Sequence, residues 1–188
     1  PGSPDWRGFN ASFVNRDVTA FDLARQVYDG HAFTTWHKDN WRTTANFVCG
    51  QHIGLDFDNG DQSSSLETLR SSQFIGKFAS MIYTTPSHTP TAPRARVVFL
   101  LDTPIQQAQN YALSAAALLW LFGTADRQCK DAARFFYGSL RCEIEMLDNV
   151  LPLATLKRVI GQYQETGRKE LARHARAGAV ATNDRYTT

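Results

Sequence analysis

The run Ile53-Gly54-Leu55-Asp56-Phe57-Asp58 constrains this chain more than any other segment. A short apolar stretch that ends at the turn-forming Asn59-Gly60-Asp61 reads as a buried strand. Side-chain alternation along it sends Asp56 and Asp58 out of one face while Phe57 enters the core on the other. Two carboxylates held side by side repel each other unless a cation lies between them, and hard oxygen ligands of this kind suit Mg²⁺ or Mn²⁺. A lone Asp-x-Asp is more often a solvated strand end, so the metal reading depends on what the rest of the chain supplies.

Around this run the pattern alternates between helical and extended. Thr19 with Asp22 three places on, then Leu23, Val27 and Gly30, predicts a short capped helix followed by loop over 31–45. Phe47-Val48-Cys49 reads as a separate strand, broken from the next by Gly50. Serines 63–65 cap an expected helix through Leu66, Leu69, Phe74, Ile75 and Phe78 to Ala79, and Met81 to Thr85 is β-rich up to Pro86. A proline-rich loop returns to a neighbouring strand, Arg96 to Leu101. Pro104 then opens a largely buried helix, Ile105 to Phe122, that Gly123 ends. A strand at Arg134–Tyr137 and two basic helices, Pro152–Tyr163 and Arg168–Ala177, complete the chain. Strands separated by helices, with a hairpin-like return, predict an α+β fold: a central mixed or antiparallel sheet flanked by helices.

At 188 residues and 43% hydrophobic content the chain can bury one substantial core. Residues 4–150 are expected to form the core unit and 151–188 a basic helical extension of it or the start of a linker, with Pro1-Gly2-Ser3 reading as a cloning remnant. The longest apolar stretch, Ala112 to Phe122, is too short to cross a bilayer, so no membrane partner is expected. Cys49, Cys129 and Cys142 are odd in number and lack two-residue spacing. This argues against a disulfide framework and a structural zinc, and for a reducing, cytoplasmic compartment. A net charge of +2 does not by itself point to nucleic acid. The cations do gather late, at Lys157, Arg158, Arg168, Lys169, Arg173, Arg176 and Arg185, where a solvated helix face explains them equally well.

Two further clusters carry chemistry. Thr84-Thr85-Pro86-Ser87-His88-Thr89, followed by Arg94 and Arg96, gathers the hydroxyl, imidazole and guanidinium donors that a triphosphate requires. The segment from Gly123 to Ser139 adds a third acid, Asp126 or Asp131, and the cation Arg134 before an apolar strand.

Taken in order, these three clusters resemble the motifs of the archaeo-eukaryotic primase (AEP) superfamily, in the primase-polymerase branch found in mobile-element and phage replication proteins. The motifs are an apolar strand ending in Asp-x-Asp (Asp56, Asp58), a Ser/His segment (Ser87, His88), and an apolar residue followed by an acid (Ala125-Asp126). The chain departs from the family pattern in that Ser87 and His88 adjoin and lie well before the strand at Val97. The resemblance implies an RRM-like palm and metal-dependent, template-directed transfer of a nucleotide from an NTP or dNTP to a 3′-hydroxyl or an initiating nucleotide. It further implies two Mg²⁺ or Mn²⁺ ions held by Asp56, Asp58 and Asp126 (Asp131 being the alternative third acid), with His88 in the catalytic set. Ser87, His88 and Arg134, with Arg94 and Arg96, would bind the triphosphate. The implied partners are single-stranded DNA and a helicase or other replication module. Two other classes fit the same residues. One is a metal-dependent nuclease. The other is a non-catalytic single-stranded nucleic-acid-binding module that uses Trp36, Trp41 and the basic helices.

Overall fold

The computed structural model describes residues 6–183, with side chains described throughout except at Trp6, Arg168 and 170–183. In chain order the elements are α1 (Trp6–Ala11), α2 (Ala20–Tyr28), β1 (Phe33–Thr34), β2 (Trp36–His37), β3 (Phe47–Phe57), α3 (Leu66–Ser71), α4 (Gln73–Phe78), β4 (Met81–Thr84), β5 (Ala95–Ile105), α5 (Ala108–Leu121), β6 (Phe135–Phe136), β7 (Ile144–Met146) and α6 (Leu153–Asn183). Five strands make one antiparallel sheet in the order β2-β3-β5-β4-β7, and β1 pairs with β6 in a separate two-stranded ribbon. This is the α+β architecture expected from the pattern of strands and helices.

Local physics accounts for where the elements depart from the sequence expectations. Gly50 does not break the strand, and β3 runs through it. A Cβ there would lie 2.6 Å from the Tyr111 ring, so glycine marks a close approach beside a bulge in the β3–β5 ladder. The 31–45 segment is not simply loop, since it supplies β1 and β2. The helix expected over 66–79 is two, because Ser72 leaves the helical conformation (ψ 123°) and its hydroxyl caps Ile75 N–H at 3.5 Å. Pro104 does not open a helix. It sits in the stretch where the β5 ladder shifts register, and α5 starts at Ala108. β7, too short to announce itself, forms an edge of the sheet. The two late helices are one, α6. Of the late cations, Lys157 and Arg158 are exposed and Lys169 pairs with Glu165 at 2.7 Å, while the side chains of Arg168, Arg173 and Arg176, and all of Arg185, lie outside the described residues.

The sheet is covered on both sides, which is why its central strands are apolar nearly throughout. Ile53, Leu55 and Phe57 of β3, Ile82 of β4, and Val97 and Phe99 of β5 face α5, α6 and the α3–α4 pair in the main core. Leu156 and Val159 of α6 join that core. On the opposite face, Met81, Tyr83 and Val98 meet Leu23, Ala24 and Val27 of α2. The capping box predicted at Thr19 and Asp22 forms and fixes the start of that helix. The β1–β6 ribbon lies over this second face. A Cβ on Gly54 would come 2.7 Å from the Phe136 ring, so the absence of a side chain there is what lets β6 approach β3.

Candidate active site

Asp56, Arg96 and Tyr83 sit in register on three adjacent strands, on the face away from α5. Asp56 is only 7% exposed, yet its carboxylate is fully engaged. Oδ1 accepts from Arg96 Nε, and Oδ2 receives Arg134 Nη2 at 3.3 Å and the Cys129 thiol at 3.4 Å. Arg96 is itself buried. Its Nη1 donates to the Tyr83 hydroxyl at 2.5 Å and to the Tyr137 carbonyl at 2.7 Å, and its guanidinium lies 4.8 Å from the Phe136 ring centroid. Burial alone would lower the pKa of Arg96, but Tyr83 and Asp56 reverse that and raise it, so the guanidinium is a permanent cation holding Asp56.

The loop after α5 brings Asp126 to Asp56 through a backbone tie: Asp126 N–H donates to the Asp56 carbonyl at 2.8 Å. Asp126 Oδ1 then accepts from Gln128 N–H at 3.0 Å, which directs Oδ2 towards Cys129 at 4.0 Å and Arg134 at 3.9 Å. One ligand atom each from Asp56, Asp126 and Cys129 lies within 4.8 Å of the others. Burial, with the Asp56 charge adding to it, pushes the Cys129 thiol up to about 12, so at neutral pH it is an S–H donor. Asp131, the other candidate for the third acid, is turned away. Its Oδ1 accepts from Thr44 Oγ1 and from Ala133 N–H, each at 2.9 Å, in a separate turn.

A cleft of about 300 Å³ opens beside Asp56, lined also by Asp58, Thr85, Pro86, Ser87, Arg96 and Tyr137. Asp58 lies just beyond the end of β3 and is exposed. It shares the cleft with Asp56 but stands outside the compact set with Asp126 and Cys129. Thr85 is 9% exposed, and among the described residues its Oγ1 has no hydrogen-bond partner. A buried hydroxyl left so beside a cleft can take its partner from the cleft. Ser87 is exposed at the same rim. His88 does not line the cleft. Its backbone N–H bonds the Thr85 carbonyl at 2.9 Å and its Nδ1 accepts from Arg94 N–H at 3.1 Å, so the neutral ring keeps Nε2–H as its free donor. Arg94 is half-buried and precedes β5, so it does not share a strand face with Arg96.

No protein-family model and no curated protein matches this sequence. Among solved structures, the chain is similar to the AEP domain of the cyanophage S-2L primase-polymerase, with a TM-score of 0.50 and 14% identity over 64% of this chain and 65% of that one. The fold is similar to that of this AEP domain. This chain spans about 65% of that domain.

Of the residues singled out from the sequence, Asp56, Asp58, Ser87 and Arg96 line one cleft, and Asp126 and Arg134 lie beside Asp56. Sequence reasoning missed Cys129, Tyr83 and the Tyr137 carbonyl. An isolated thiol and an apolar strand carry no signal of what the folded chain sets beside them. Thr85, by contrast, was legible within the hydroxyl-rich segment. Trp36 is exposed on β2, and Trp41 is half-buried. Among the described residues all three cysteines are unpaired, and no helix is long and apolar enough to cross a membrane.

Proposed function

We propose that this chain is a metal-dependent nucleotidyltransferase of primase-polymerase type, which joins nucleotides on a single-stranded DNA template. The observation that carries the reading is the meeting of Asp56 and Asp126 at the end of β3, beside a cleft that also holds Asp58 and the unpartnered Thr85 hydroxyl. Two carboxylates in contact range fit a divalent cation. Carboxylate oxygens suit Mg²⁺ or Mn²⁺, and the neighbouring Cys129 thiol stays protonated at neutral pH as a hydrogen-bond donor to Asp56. When bound, such ions supply the charge that activates a 3′-hydroxyl and steadies the leaving pyrophosphate.

The chain's own residues then divide into holders and binders. Asp56, Asp126 and Asp58 hold the cations, and Arg96, anchored by Tyr83 and the Tyr137 carbonyl, fixes the Asp56 carboxylate. Thr85 and Ser87 present hydroxyls to the triphosphate from the turn after β4, His88 offers Nε2–H from the same turn, and Arg134 adds positive charge. Arg94 supports the turn through its N–H to His88 and lends charge at its rim. Exposed Trp36 and the cations Lys157 and Arg158 suit stacking and phosphate contact with a template.

Incubating the protein with a primed, labelled single strand, nucleotides and Mn²⁺ tests the reading. Lengthening that requires nucleotide supports it. Shortening without nucleotide would make the chain a nuclease, and salt-sensitive binding indifferent to divalent metal, with neither product, would make it a binding module.

A further inference from the structure

Arg134 reaches back from the entry of β6 so that a single nitrogen, Nη2, lies 3.3 Å from Asp56 Oδ2 and 3.9 Å from Asp126 Oδ2. These acids, with Cys129, are the compact set described above. One guanidinium nitrogen therefore stands between the two carboxylates, in the position from which a cation would bridge them. The two arginines on Asp56 are not equivalent. Arg96 is buried and fastened by the Tyr83 hydroxyl and the Tyr137 carbonyl. The Arg134 side chain is 32% exposed, and among the described residues its guanidinium bonds to no acceptor apart from these acids. Arg96 is built in, whereas Arg134 can leave.

We propose that Arg134 is a placeholder cation, whose displacement couples metal uptake to nucleotide uptake. The proposal rests on the cation-site reading above. Without a divalent ion, the Arg134 charge offsets the repulsion between Asp56 and Asp126. Divalent charge at the same carboxylates expels the guanidinium by like-charge repulsion, and Arg134 turns to the adjoining cleft, where a triphosphate is the new partner for its two-pronged donor. Each ligand then favours the other, because either one removes an interaction that opposes the second. Cation alone has to compete with Arg134, and nucleotide alone has to draw Arg134 off its acids.

Mn²⁺ binding followed by electron paramagnetic resonance, with no turnover required, decides this. In the absence of nucleotide, Arg134→Gln is expected to bind Mn²⁺ roughly twofold to fivefold tighter than the parent protein, the size of effect expected from removing one partly exposed competing charge. Arg134→Lys should stay near the parent value. A non-hydrolysable nucleoside triphosphate should tighten Mn²⁺ binding in the parent protein and lose most of that effect in Arg134→Gln. If Arg134→Gln binds Mn²⁺ no tighter while Asp126→Asn abolishes uptake, the placeholder proposal is overturned and the cation site stands. If no variant shows Asp126-dependent Mn²⁺ uptake, both fall. Should Arg134→Gln not fold, the parent protein decides: the Arg134 Nε–Hε resonance must move on saturation with Mg²⁺, and a stationary resonance overturns the proposal.

Discussion

Asp56 and Arg96 are directly opposed partners on β3 and β5, and their side chains close an ion pair in which neither residue is more than 7% exposed. Breaking a buried pair by removing one partner leaves an uncompensated charge, which costs far more than the intact pair contributes. Asp56→Ala is therefore expected to lose about 3–5 kcal/mol of stability, since it strands Arg96. Asp126→Ala, whose side chain is 26% exposed and whose backbone tie to Asp56 survives, should lose about 1 kcal/mol or less. Urea unfolding of the two variants checks the contrast, and equal losses would mean that Arg96 does not depend on Asp56. Because of this, Asp126→Ala is the cleaner probe of catalysis: it should abolish primer extension in a protein that remains folded.

Thr85 offers a second separation of stability from function. Its buried hydroxyl has no partner among the described residues, so exchanging it for a methyl removes an unsatisfied polar group at nearly constant volume. Thr85→Val should be neutral or more stable by about 0.5–1 kcal/mol, and should weaken nucleotide binding by roughly fivefold to tenfold if the hydroxyl meets the triphosphate. Melting temperature and a nucleotide titration read the two effects. A loss of stability with unchanged affinity would show that the hydroxyl serves the fold instead.

His52 predicts the pH dependence. On β3 it packs against Phe33 and Phe136, its buried Nε2 has no partner among the described residues, and burial brings its pKa down from 6.5 to about 4. The folded state thus favours the neutral ring. The stabilisation is present above about pH 6.5 and is lost as pH falls towards 4, by up to about 3 kcal/mol. His52→Phe should flatten this part of the stability profile between pH 7 and 4.5. The slope that remains belongs in part to His37, whose pKa is also lowered by burial.

The alternation at Asp56-Phe57 and the donors of 84–89 were legible because each depends only on local geometry. What was not legible depends on register between distant segments. No spacing rule places Arg96 opposite Asp56, or sets the Cys129 thiol 3.4 Å from a carboxylate 73 positions earlier. The choice between Asp126 and Asp131 was open for the same reason. The turn that bonds to β3 sets Asp126 beside Asp56, and the turn that bonds to Thr44 holds Asp131 apart. Gly50 was misread because a glycine that admits an aromatic ring from a remote helix looks, in sequence, like one that ends a strand.

Gly54 illustrates how that hidden packing reaches the site. On β3 it occupies the same face as Asp56, two positions earlier, and a Cβ there would lie 2.7 Å from Cζ and 2.8 Å from Cε2 of Phe136. Phe136 is 1% exposed and carries the Arg96 guanidinium on its ring, so it has little room to retreat. Gly54→Ala must shift β6, and with it Arg134 before the strand and the Tyr137 carbonyl after it, the groups that steady Asp56 and Arg96. The expected cost is about 1–3 kcal/mol of stability from overpacking, with a larger proportional loss of primer extension than of folded protein. Phe136→Leu in the Gly54→Ala background should recover part of both by making room for the methyl. Rescue of neither would place the damage in β3 itself and separate Gly54 from the Arg96–Asp56 pair.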